Sequence, residues 1–294
     1  MVTLDELAGL DLFLWHGSGP RAASMLGCNQ STISRRVHRC SEVFGLRVKR
    51  RQGEWTLTGE HEPLLQMERE IHQVARLLGQ APLRLEGFPT GAAPLIKPPP
   101  PGWCVGPLDA LGIVAPLTLL RDRILDAWLT DAADDLPPSL DFPAIVWPLA
   151  RQPVTLLAHP THPLVGETHL SLADLLRFPV PVIPAEGFPR THAICADIGL
   201  GTVAVHKKRY DTESWEGLTA DRATLAFTTP LNARAFPGLA PLDSGPLFTN
   251  RLALVCRADV GEHAKLQDLH CLLLARLQHL KSHHPCLDRL QLQA

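Results

Sequence analysis

The sequence predicts a chain in three parts: a small α+β head, one connecting helix, and a larger α/β body. Three observations predict it. Residues 18–51 hold eight basic side chains and a single acid, Glu42, a local charge of plus seven in a chain whose net charge is −2. Residues 63–80 repeat apolar side chains at helical spacing. From Leu83 onward, short apolar runs alternate with helical stretches, the pattern of an α/β sheet.

The head begins with a helix capped at Thr3, with Asp5 and Glu6 in its first turn where the macrodipole favours acids. Leu7, Leu10 and Leu14 give it an apolar stripe. His16-Gly17-Ser18-Gly19-Pro20 stops it and opens a short second helix, Pro20 to Leu26, whose Ala22-Ala23 pair lets a partner helix come close. Gly27 ends that helix, and Asn29 is expected to cap a third, from Gln30 to Phe44.

The third helix sorts by face. Ile33, Val37, Cys40 and Phe44 form the inward stripe, and Ser31, Ser34, Arg35 and His38 the opposite one, flanked by Arg36 and Arg39. Helix, glycine-containing turn, helix with a polar basic outer face is the helix-turn-helix layout, which presents side chains to the major groove. Leu46–Arg51, a turn at Gln52-Gly53 and Trp55–Thr58 then predict a two-stranded wing. A solvated basic face on a plain three-helix bundle is the alternative, and charge, turn chemistry and facial sorting together weigh against it.

The connecting helix, Pro63 to Gln80, carries Leu64, Met67 or Glu68, Ile71, Val74 or Ala75, and Leu78 on one seam. Such a seam packs on its own body or on a copy of itself. In the body, strands are expected at Leu83–Glu86, Trp103–Gly106, 127–129, Pro153–His159, Val180–Ile183, Thr202–His206, Thr224–Thr228 and Leu252–Arg257. Helices are expected at Leu111–Leu125, at Ser171–Arg177 with a capping box from Ser171 to Asp174, and at Lys265–Ser282. Pro98–Pro101 excludes a long helix between Gly87 and Gly102 and leaves one turn near Gly91–Ile96.

No apolar run is long enough to span a membrane, and MVTLDELAGLDLFL has acids where a signal peptide needs basic residues. Seven scattered cysteines without a CxxC fit reduced thiols in a cytoplasm. His159-x-x-His162 and His283-His284-Pro285-Cys286 lack a second half at ligand spacing, so no metal is expected. No nucleophile elbow and no phosphate loop is present, so neither an enzyme nor a cofactor is expected. Cys104 and Cys195 read as packing thiols rather than redox sensors.

The series Gly17-Ser18, Ala22-Ala23, Asn29-Gln30, Ser34, Gly45-Leu46 and Leu57-Thr58 resembles the winged helix-turn-helix of the LysR-type transcriptional regulators over about the first sixty residues. Three positions depart from the pattern: Ser31 replaces a Pro, Lys49 a Phe, and His61 a Gly. Arg123–Trp128, Val154–Pro163 and Leu225–Pro230 are similar to the family's effector-binding region.

The resemblance implies a periplasmic-binding-protein-like body of two subdomains, 83–151 plus 252–294 and 152–251, after a head at 1–60 and a linker at 61–81. It implies contacts to double-stranded promoter DNA from Gln30, Ser31, Thr32, Ser34, Arg35, Arg36, His38, Arg39, Arg50 and Arg51. A small-molecule effector would sit among Pro89, Thr90, Thr130, Arg190, Thr191, His192, Thr228 and Thr229. The linker helix would pair two copies into a homodimer or homotetramer, and RNA polymerase would be a further partner. The competing expectation, motivated by Lys49 and His61, is a ligand-binding or assembly protein that has lost sequence-specific DNA binding.

Overall fold

The computed structural model describes residues 2–51, 54–59, 62–89, 91–205, 209–215 and 217–293. α1 (Leu4–His16) opens on a capping box in which Thr3 accepts from the Glu6 N–H and the Glu6 carboxylate accepts from the Thr3 N–H. It closes at Gly17, whose φ of 63° lies in the left-handed region. Ser18 caps α2 (Gly19–Met25). Asn29 stands at the N-cap of α3 (Gln30–Val43) but makes no side-chain cap bond, contrary to expectation. Gln30 and Ser31 are exposed, so water can satisfy the first-turn N–H groups there.

β1 (Leu46–Arg51) and β2 (Glu54–Gly59) form the antiparallel wing. Its expected turn, Gln52-Gly53, and His61 lie outside the described residues. The head core holds Leu7, Leu10, Cys40, Phe44 and Leu46, with Val37 partly buried against it. Leu65 of α4 (Glu62–Leu77) joins the same core. The helix ends at Leu77, three residues before the expected Gln80, where the Gln80 N–H reaches back to the Ala75 carbonyl and Gly79 takes φ 85°.

α4 turns its charged side inward. Glu68, Arg69, His72, Gln73 and Arg76 are buried, while Met67, Ile71 and Leu78 are 64%, 61% and 70% exposed. Leu64 and Val74 are exposed beside them, so the whole apolar seam faces solvent.

The body begins with β3 (Leu83–Gly87), the single turn α5 (Ala93–Ile96), β4 (Trp103–Val105), α6 (Val114–Arg121) and β5 (Ala127–Thr130). α6 is shorter than the expected Leu111–Leu125. Gly112 (φ 70°) and Arg123 (φ 56°) adopt left-handed backbone on either side and cannot continue a helix. β6 (Ala144–Ala158) follows, then α7 (Leu172–Leu175), β7 (Val180–Pro181), α8 (Pro189–Ile198), β8 (Thr202–Val203) and α9 (Thr212–Trp215). The chain closes with β9 (Ala226–Thr228), β10 (Ala240–Pro241), β11 (Phe248–Arg257), α10 (Ala258–Gly261), α11 (Ala264–His283) and β12 (Gln291–Leu292). The strand expected at Thr202–His206 stops at Val203, and His206 is outside the described residues. Ser171 makes its capping box with Asp174 as expected.

The large sheet runs β10-β6-β11-β5-β3-β4, with β9 and β12 also paired to β6. β3 is parallel to β4 and β5, and β11 is antiparallel to β5 and β6. Alternation of side chains assigns its two faces. Leu129, Leu252 and Leu254 cluster with Leu266, Leu269, Leu273 and Leu277 of α11. Trp128 and Val255 belong to a second cluster with Leu120 of α6 and with Leu12, Trp15, Ala22, Ala23 and Ile33 of the head. The head therefore serves as part of the cover for one face of the body sheet. A third cluster, including Leu156, Leu175, Val180, Cys195 and Leu225, forms the core of the second subdomain.

Candidate nucleic-acid interface and ligand cleft

α3 shows two different sides. Ile33 and Cys40 are buried, whereas Gln30, Ser31, Ser34, Arg35, His38 and Arg39 are exposed and Thr32 is half-buried. The expected outward stripe is thus open to solvent even though the head is docked on the body. Arg35 donates to Thr32 Oγ1 at 3.3 Å, and His38 lies 3.3 Å from Glu42.

The basic side chains are not equivalent. Arg36 is half-buried: it packs over Gly9 of α1 and pairs with Asp5 at 3.1 Å. Arg50 lies over the Trp55 ring at 5.9 Å, and Trp55 in turn packs on Phe13 at 5.1 Å. Arg51 ends β1, with its backbone paired to Glu54.

Buried ion pairs fix how this face is presented. Asp11 of α1 accepts from Arg69 of the linker at 3.0 Å and from Arg84 of β3 at 3.3 Å. Asp126 accepts from Arg76 through both oxygens, at 2.8 and 2.9 Å, and from the Arg84 N–H at 2.8 Å. Trp15 donates to Glu86 across the head–body boundary, and Asp109 pairs with Arg21 of the head and Arg209 of the body. None of these acids was singled out by sequence. The available signal was the charged stripe on the side of α4 away from its apolar seam, Arg69 and Arg76, which needs partners when buried.

The cleft positions fall into two groups. Thr130 ends β5 and accepts the Ala132 N–H at 3.0 Å. The turn that follows brings Asp134 to Arg190 (3.8 Å) and Arg251 (3.1 Å), and Asp135 to Thr191. Asp135 accepts from the Thr191 N–H at 2.8 Å and from its hydroxyl at 2.7 Å, at the first turn of α8. His192 Nδ1 lies 2.7 Å from the Ile183 carbonyl.

In the second group, Thr228 donates its hydroxyl to Asn232 Oδ1 at 2.9 Å, and the Thr229 N–H donates to the same oxygen at 2.6 Å. A side chain at Gly91 would touch Asn232, so the half-buried Pro89 loop abuts this turn. Thr90 lies outside the described residues. Thr229 Oγ1, Asp134 Oδ2 and Arg251 Nε are buried without a hydrogen-bond partner. Asp134 and Asp135, the acids that engage α8, were missed in the sequence; their signal is the acid pair in the turn that follows β5.

Burial pushes the Cys104 and Cys195 thiols up to about 11, which disfavours the reactive thiolate.

No family model matches the chain. Over 57 residues it is 47% identical to a probable nitrogen assimilation transcriptional activator of Synechococcus elongatus; the match spans 19% of this chain and 18% of that protein. Solved structures match nearly the whole length. Full-length CbnR in complex with its target DNA aligns with a TM-score of 0.53 at 16% identity, over 94% of this chain and 99% of that one. HinK of Pseudomonas aeruginosa, a LysR family transcriptional regulator, aligns with a TM-score of 0.50 at 17% identity, over 94% and 98%. The chain has the LysR-type fold. Winged head, linker helix and two-subdomain α/β body occur here in the LysR-type order. Among the described residues, no helix is long and apolar enough to cross a membrane.

Proposed function

We propose that this chain is a LysR-type transcriptional regulator that acts by binding rather than by catalysis. The observation that carries the reading is the exposed outer stripe of α3, beside a buried inner one. Gln30, Ser31, Ser34 and Arg35 read base edges in the major groove, with Thr32 and His38 beside them. Arg39 and the wing residues Arg50 and Arg51 hold phosphates, and Arg36 contributes from the flank. The 57-residue match to a probable transcriptional activator supports the assignment.

The exposed seam of α4 pairs two copies, which gives the two-fold symmetry that paired half-sites need and leaves room for a tetramer. The subdomains are 83–151 plus 252–294 and 152–251. The cleft between them takes a small effector near Pro89, Thr90, Thr130, Arg190, Thr191, His192, Thr228 and Thr229, and the unpaired Thr229 Oγ1 and Arg251 Nε supply spare hydrogen-bonding capacity. The regulator works in the cytoplasm and contacts RNA polymerase at its promoter.

The test is a mobility-shift titration with the DNA upstream of its own gene. A sequence-specific, salt-dependent shift that Arg35→Ala weakens, with relaxed discrimination, is the expected result. Equal binding to scrambled DNA, or no effect of Arg35→Ala, rejects the reading.

A further inference from the structure

A cavity of about 770 Å³ lies where the head meets the body. Its walls include Leu14 of α1, Trp55 and Leu57 of the wing, Leu65 of the linker helix, Val114 and Thr118 of α6, and the loop around Gly187. None of the positions assigned above to the DNA face or the inter-subdomain cleft lines it. The loop wall is anchored: the Ile113 N–H donates to the Gly187 carbonyl at 2.9 Å. Gly112 sits so close that a Cβ there would fall 2.4 Å from the same carbonyl oxygen.

The volume is that of a small-molecule site, roughly 300–1,000 Å³. Most of the polar groups along the wall already have partners, apart from the half-buried Gln66 and the exposed Glu186. Arg69 pairs with Asp11, Arg121 with Asp122 and Asp141, and Arg209 with Asp109. The Thr56 and Thr118 hydroxyls donate to the Lys49 and Val114 carbonyls. An occupant therefore meets apolar carbon and aromatic surface, some of it still wet, as at the exposed Val114. A charged ligand would lose hydration and find its counter-ions engaged.

We propose that this head–body cavity is a second ligand site, for a neutral, largely apolar small molecule. The occupant touches wing, linker and body together, so its binding is coupled to the way the head is seated.

The test uses the full chain and N-phenyl-1-naphthylamine, a neutral probe that brightens in apolar surroundings and accepts energy from tryptophan. Expected are saturable binding of one probe per chain, energy transfer that drops in Trp55→Phe, and affinity at least about tenfold weaker in Val114→Trp and Thr118→Trp, which fill the cavity from exposed positions. Octanol displaces the probe and octanoate at the same concentration does so much less. Ile71→Glu, on the open face of α4, leaves binding unchanged. Absence of saturable binding, unchanged affinity in both filling variants, or loss in Ile71→Glu alone overturns the site, the last by placing the probe between two copies. Equal displacement by octanoate overturns the neutral class. No arm needs DNA, so failure of the regulator reading and failure of this site are told apart.

Discussion

The Trp15 indole N–H donates to Glu86 Oε2 at 2.5 Å, with both side chains buried and 71 positions apart. The other carboxylate oxygen of Glu86 accepts the Gly87 and Leu108 N–H groups. One carboxyl group thus holds the last turn of α1 against the first strand of the body. Trp15→Phe keeps most of the ring and strands one buried acceptor. It should cost about 1–3 kcal/mol in urea unfolding and expose the head to limited proteolysis before the body.

Burial pushes the Glu86 carboxyl from its ordinary 4.5 up to about 7, against the lowering effect of the bonds from Gly87 and Trp15. Between those two values the folded protein keeps a proton that the unfolded chain releases. Its contribution to stability is therefore full below about 4.5 and declines as pH rises to about 7. The unfolding free energy of the wild type minus that of Glu86→Gln should fall across this window and flatten above it. A difference that rises with pH would contradict the assignment.

Asp126 takes Arg76 through both oxygens with no exposure to solvent. Asp126→Ala leaves that guanidinium buried without its partner and should cost about 3–5 kcal/mol by chemical denaturation. Replacing both residues by leucine should cost less than Asp126→Ala alone, because no stranded charge remains.

The open seam of α4 gives a test of assembly. Ile71→Glu and Leu78→Glu place charge on exposed positions, so the melting temperature of the monomer should change little. Sedimentation should shift from dimer to monomer. An unchanged sedimentation coefficient in both variants would move the dimer contact elsewhere.

Arginines of α3 should differ in their effect on DNA. Arg35→Ala removes the proposed base contact and should cost about 1–3 kcal/mol with relaxed discrimination at one base pair. Arg39→Ala should lower the salt slope by about 0.9 with little change in discrimination. Arg36→Ala should do less than either, because Asp5 already engages that side chain. Binding titrations over a salt series separate the three.

The head was legible in sequence because its determinants are local. Thr3 and Ser18 cap the helices, Gly17 and Gly27 turn, and Ile33, Cys40 and Phe44 repeat on one side. The α4 seam was equally legible, but its buried polar side was not, since Asp11 and Asp126 lie far away in the chain. The expected strand at Pro153–His159 is only the second half of β6; its first half contains Pro148, a residue that sheets confine to edges and bulges. In the sheet, Pro148 pairs with Ala253 beside the register shift at Leu252/Ala253, where the ladder is already irregular. In the cleft, the hydroxyl positions were legible as strand ends, while the acids that engage α8 sit in a short turn with no repeating pattern.

Asp135 has a consequence for selectivity. It already occupies the first turn of α8, holding both the N–H and the hydroxyl of Thr191. A visiting carboxylate at that turn would compete with a tethered one, whose effective concentration is set by a short length of chain rather than by the medium. The proposed cleft would thereby discriminate against simple acids and favour a molecule that binds without evicting the resident carboxylate.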